Sequence, residues 1–246
     1  MTESSASAAP TPTDNASMAE DFIDIFTSPA KVFARRAKAN PIVPFLIASV
    51  VMAILFFASK NALAPIFDSM TQKAIDQAMK SNAQMTPDMA DKMRPVMAIT
   101  FVVGGLIGTP ILLLIGALFT WIVGRFFMGG ALTYGGALLI ASYAFFPKLL
   151  GSIVGMVQAM VMDVTKLTSP YQLSISVARL FSPSSMSDGK YNLLGQLDLF
   201  SIWCSVLIAI GLMQVAKLEK SKAVTAAVIL FVLGCLPALW QVATGK

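Results

Sequence analysis

Apolar and polar positions separate along this chain into long blocks rather than into a fine alternation. Five stretches carry no charge at all: residues 39–59, 95–124, 126–147, 199–216 and 223–245. Each reaches the roughly 18 residues at which a membrane-spanning helix becomes the natural reading of an apolar run. A helix on the surface of a soluble domain shows an apolar stripe opposite a charged face. These runs are apolar all round, and too little polar chain remains to cover five buried helices. The pattern therefore predicts an all-α polytopic membrane protein, a bundle of about five transmembrane helices over 41–63, 95–127, 137–162, 197–216 and 223–242.

Between the blocks the pattern changes. Residues 1–17 form a polar tail rich in Ser, Ala, Thr and Pro, with no apolar core of a cleavable signal, so the first span is expected to act as an uncleaved signal-anchor. In residues 18–40, Phe22, Ile23, Ile25, Phe26, Val32 and Phe33 are interleaved with Asp21 and Asp24 in front, and with Lys31, Arg35, Arg36 and Lys38 behind. Pro29 divides the segment. Two short amphipathic helices lying on the membrane surface are expected, with basic heads toward lipid phosphate; the alternative is a linker helix packed on the protein. In the loop after span one, Ile66, Met70, Ala74, Ile75 and Met79 recur at helical spacing and predict an amphipathic helix outside the bilayer. Thr86-Pro87-Asp88 reads as a cap followed by proline, opening another short helix.

Glycine and proline mark features inside the spans. Pro110 is expected to bend span two. Gly104 and Gly108, and likewise Gly151 and Gly155, are four residues apart, a spacing that admits a second helix backbone closely. Gly129-Gly130 and Gly135-Gly136 bracket a turn, not a phosphate-binding loop, because no strand precedes them and no Lys-Ser/Thr follows.

Composition adds exclusions. Hydrophobic residues make up 56% of the 246 and charged residues 13%, against about 25% charged in ordinary soluble domains. There are no histidines, which removes the commonest metal ligand and general base. Cys204 and Cys235 both fall in apolar runs and read as small buried hydrophobes. No metal-ligand cluster, catalytic serine–base pair or pair of intramembrane carboxylates is present. The reading is of a non-enzyme with no cofactor and no metal. The net charge of +5 sits at span ends, where it meets lipid headgroups, so membrane lipids are expected as partners and nucleic acid is not. Basic residues are dense and close to spans in 31–38, 125 and 217–222, and diluted by acids in the two long loops. The positive-inside rule then places the N-terminus in the cytoplasm and the C-terminus outside.

Two ionisable residues fall within spans, Lys148 and Asp198. A charge at mid-bilayer costs about 2.5–3.5 kcal/mol on insertion scales, so it is usually paired or used. In the expected topology both lie toward the outer face, where an ion pair is geometrically possible. One reading is a polar site for a proton, ion or small ligand. The other is structural: Asp198 as a helix N-terminal carboxylate and Lys148 as a snorkelling or pinning side chain. Trp121, Trp203, Trp240 and Tyr143 read as interfacial anchors.

The order of short motifs is also informative. Phe26-Thr27-Ser28-Pro29 with Val32-Phe33 precedes Asn40-Pro41; Gly129-Gly130 and Tyr134 precede Tyr143-Ala144 and Pro147; Leu197-Asp198-Leu199-Phe200 precedes Trp203 and Gly211. In this order and spacing the chain resembles the Yip-domain family, the five-span proteins first named as interactors of Ypt/Rab GTPases, from about Asp24 onward. The resemblance implies a helical membrane bundle without catalytic residues, in which Pro29, Tyr143, Pro147, Asp198, Phe200 and Trp203 are family-motif positions. Eukaryotic members work in vesicle traffic by binding small GTPases and each other. No Asp-Leu-Tyr-Gly-Pro element precedes span one here, so small GTPase binding is not carried over, and the chain looks like the prokaryotic branch, in a bacterial plasma (inner) membrane. Self-association or binding of other membrane proteins is the expected mode of action, with a small transporter or channel subunit as the alternative.

Overall fold

The computed structural model describes residues 17–81 and 86–244. The expected polar tail, save Ser17, lies outside the described residues. Among them are ten α-helices and several single-turn 3₁₀ segments, with one isolated bridge, Ser176 to Asp198, in place of a sheet. The chain is an all-α, multi-pass membrane bundle. Four helical stretches are long and apolar enough to cross a membrane, and a shorter apolar helix joins them.

Helices α1 (Met18–Thr27) and α2 (Pro29–Arg36) form an antiparallel hairpin. Ser17 caps α1 in a reciprocal box with Glu20, and Pro29 opens α2, where its missing N–H is not needed. The packing of this hairpin follows the alternative reading, a segment laid on the protein. Ile25, Val32 and Phe33 are fully buried in the main core of the bundle, so the apolar face of the hairpin is turned to protein rather than to lipid. Phe33 stands edge-on to Tyr143, and Phe26 edge-on to Trp203.

Span one is α3 (Ile42–Ser59), and α4 (Ala64–Ser81) follows with Ile66 and Ile75 buried, as the spacing predicts. Thr86 caps the next helix, accepting from the Met89 N–H, but no separate short helix results. The helix α5 (Pro87–Ile122) runs 36 residues through Pro95 and Pro110 and ends in a π-turn, Val123–Phe127. Gly129 then turns the chain at φ +74°, a region that costs a side-chain-bearing residue energy.

Span three begins at Tyr134 and is two helices, α6 (Tyr134–Ala144) and α7 (Phe146–Val161). Phe145 caps α6, and Pro147 sits in the first turn of α7, where the chain can restart a helix without an orphaned donor. The segment between the expected spans three and four folds into 3₁₀ turns and α8 (Asp188–Gln196). Helix α9 (Leu199–Val215) is central, with Leu207 and Leu212 fully buried, and α10 (Lys220–Ala243) returns beside it. At one end of the bundle the Ala131 N–H donates to Ala216 C=O, tying the starts of α6 and α10 to the end of α9. At the other end a smaller apolar cluster of Ile66, Ala159, Leu167 and Leu173 fastens α4 and the 3₁₀ turns to α7.

Candidate functional site

Two polar clusters interrupt the apolar interior. The first centres on Asp21 of α1, whose side chain is 1% exposed. Its carboxylate accepts from Arg35 Nε at 2.8 Å and Nη2 at 2.6 Å, from Arg36 Nε at 2.7 Å, and from the Tyr143 hydroxyl at 2.8 Å. Arg35 also reaches Asp24 at 2.7 Å. A buried carboxylate is tolerable only when its lone pairs are satisfied, and here two guanidinium groups and a phenol do so. The hairpin supplies both signs because Pro29 folds its acidic half back on its basic half. Tyr143, from the middle of span three, locks the hairpin to the bundle. Tyr143 is therefore a core residue, 1% exposed, and not the interfacial anchor that its aromatic character predicts.

The second cluster joins α7 to the start of α9. Lys148 Nζ donates to Asp198 Oδ2 at 2.8 Å and also to Ser201 Oγ, while the Ser201 hydroxyl donates to Asp198. The other oxygen of Asp198 caps α9, accepting from the Phe200 N–H at 2.9 Å and the Ser201 N–H at 3.3 Å. Both Asp198 oxygens are thus used, at the positive end of the helix dipole. Backbone bonds from Val177 N–H to Leu197 C=O and from Leu199 N–H to Ile175 C=O stitch the 3₁₀ segment to this turn and fix the carboxylate. The Tyr171 hydroxyl, outside the spans, is pushed above its ordinary pKa by burial and by the nearby Asp198 charge. Beside the cluster lies a cavity of about 310 Å³ between α3, α7 and the 3₁₀ turns, and the Lys148 side chain is 37% exposed toward it.

Of the motif residues, Asp198 and Phe200 line this cavity, and the others pack elsewhere in the bundle. Phe200 presses its ring on Gly151, where an added Cβ would come within 2.7 Å of the ring. Trp203 meets Phe26, and Phe146, next to Pro147, meets Tyr143 and Phe22. Gly155 has only ordinary contact, with the Leu173 carbonyl oxygen. Gly104 and Gly108 face open space: among the described residues a Cβ on either would meet nothing within 4 Å, whereas one on their neighbour Gly105 would strike the Phe56 ring. Sequence reasoning missed Ser201 and the role of Asp21, Asp24, Arg35 and Arg36 as one network. The available signal was the pairing of acids and bases on either side of Pro29.

Fold and clusters together define a polytopic helical membrane bundle with a docked N-terminal hairpin and no assembled catalytic constellation among the described residues. The chain belongs to the Yip1 domain family, whose family model matches residues 23–241. It is similar to membrane protein YknW of Bacillus subtilis (strain 168), with 28% identity over 213 residues that cover 84% of this chain and 83% of that protein. No solved structure matches the chain significantly.

Proposed function

We propose that this protein is a non-enzymatic scaffold or adaptor of a bacterial plasma membrane, with its N-terminus cytoplasmic and its C-terminus outside, acting through helix packing with copies of itself or other membrane proteins. The observation that carries the reading is α5. Only 11% of its most apolar stretch is buried within the chain, against 61% for the span formed by α6 and α7. Ile111, Leu112 and Ile115 stand outward, and at helical spacing they share a face with Gly104 and Gly108. Small residues on an otherwise bulky apolar face allow the close backbone approach that drives helix association in lipid. The polar groups, by contrast, are bonded to one another across helices, which suits a rigid platform. Small GTPase binding forms no part of this reading. Gly104→Cys, in a background with Cys204 and Cys235 replaced, should crosslink in native membranes to a second copy or a copurifying membrane protein. Recovery of uncrosslinked monomer alone would count against a scaffold.

One observation favours a second reading, a small transporter or channel subunit: the cavity beside Lys148. Aqueous thiol reagents separate the two. Ser152→Cys, on the cavity wall, stays unlabelled in a sealed scaffold and reacts in a transporter with a water-filled path.

A further inference from the structure

A second cavity, of about 410 Å³, lies between α9 and α10 on the outside of the bundle, and its walls are wholly apolar. Ala209 and Ala227, 7% and 5% exposed, form its floor, and Val206, Val224 and Val228 stand up on either side. A groove with small residues below and branched residues at its rims is shaped for a slender apolar chain.

Its length and its mouth point to one occupant. Along α10 the wall runs from Lys220 to Phe231, about 16 Å at the rise of an α-helix. Half of a bilayer's hydrocarbon core is about 15 Å thick. The groove is therefore one leaflet deep. Lys220 stands at its mouth, exposed and without an ion pair among the described residues, and Lys217 and Lys222 flank it on the same turn. Glu219 precedes α10 but makes no side-chain bond to its first N–H groups. The turn over residues 217–222 sets three lysines against one acid, Glu219, and the net positive charge that remains stands at the positive end of α10, where an anion is favoured.

We propose that the α9–α10 groove binds an anionic phospholipid, one acyl chain lying against Ala209 and Ala227 and the phosphate held at Lys220. The lipid belongs to the leaflet on the side of Lys217, Lys220 and Lys222. Its acyl chain covers the thin part of the wall, and its charge offsets the basic turn. The idea is independent of the scaffold reading, since it concerns a different face from α5.

The test is lipid retention by the full chain in a neutral detergent, read by native mass spectrometry against an equal mixture of phosphatidylglycerol and phosphatidylcholine. Wild type should retain phosphatidylglycerol about fivefold over phosphatidylcholine, the preference expected from one basic contact near the membrane surface. Lys220→Gln, an exposed change that leaves the fold alone, should abolish the preference. Ala227→Phe, which fills the floor, should remove retention of both lipids. Lys222→Gln, off the groove wall, should leave the preference in place. The proposal is overturned by equal retention of the two lipids in wild type, by a loss in Lys222→Gln matching that in Lys220→Gln, or by a phosphatidylglycerol preference that survives Lys220→Gln. Conversion of a dimer to monomer by Ala227→Phe, with lipid retention unchanged, would seat a second copy in the groove and overturn it as well.

Discussion

Asp21 and Tyr143 are 122 residues apart in sequence and joined by one hydrogen bond. Their energetics differ because of what each leaves behind when removed. Asp21→Asn removes the negative charge facing two guanidinium groups, and breaking a buried pair on one side costs about 3–5 kcal/mol. Arg35 and Arg36 are 11% and 23% exposed, so partial rehydration pulls the expected loss to the lower end, about 3 kcal/mol. Tyr143→Phe removes one donor to a carboxylate that keeps three others, an expected loss of about 1–2 kcal/mol. Thermal unfolding in detergent checks both, and equal effects would refute the idea that Asp21 is the hub. For Lys148 and Asp198, removal of either partner by alanine should be worse than an independent-site account allows. The double variant should recover about 1–3 kcal/mol relative to the sum of the singles. Additive losses would show that each residue acts by itself. Asp198 as a helix-start carboxylate was readable from sequence, because an acid directly before an apolar run has a physical use there. Ser201 was not, because a serine inside an apolar helix has many uses, and only the arrival of Lys148 from another helix selects one.

Among the elements, the glycines give the sharpest contrast. Gly151→Leu drives a side chain into the Phe200 ring and should lower folded yield and unfolding temperature. Among the described residues a Cβ at Gly104 meets nothing, so Gly104→Leu should not lower stability in detergent, and the gain in helix propensity over glycine is at most about 1 kcal/mol. In membranes the same change should weaken crosslinking between copies. If Gly104→Leu unfolds the protein, or leaves association intact, α5 is not the contact helix. The sequence could not tell these pairs apart, since spacing shows which residues share a face but not what faces them. The same ambiguity governs α1 and α2. Their amphipathic pattern is identical whether lipid or protein receives the apolar side, and the deciding groove is built by α6 and α9 far along the chain. In contrast, α4, the Thr86 cap and the Gly129 turn were legible, because local periodicity, capping chemistry and backbone sterics settle them. The unbroken α5 was less so: proline stops a helix in water more readily than in a bundle whose neighbours hold it.

For the whole molecule, membrane embedding was readable from the five uncharged runs, because no soluble packing can hide them. The number of crossings rests on α9. Its 17 residues span about 25 Å, short of the roughly 30 Å hydrocarbon core. Yet α9 lies at the centre of the bundle, pinned at one end by Ala131 and at the other by Lys148. If it crosses, the chain makes five passes and its ends lie on opposite sides; four passes would bring them together. The most direct measurement is side-specific labelling of intact bacterial cells with a membrane-impermeant maleimide, using Ser17→Cys and Thr244→Cys in a background free of other cysteines. With five passes, Thr244→Cys labels from outside and Ser17→Cys only after lysis. Labelling of both from the same side would contradict five passes.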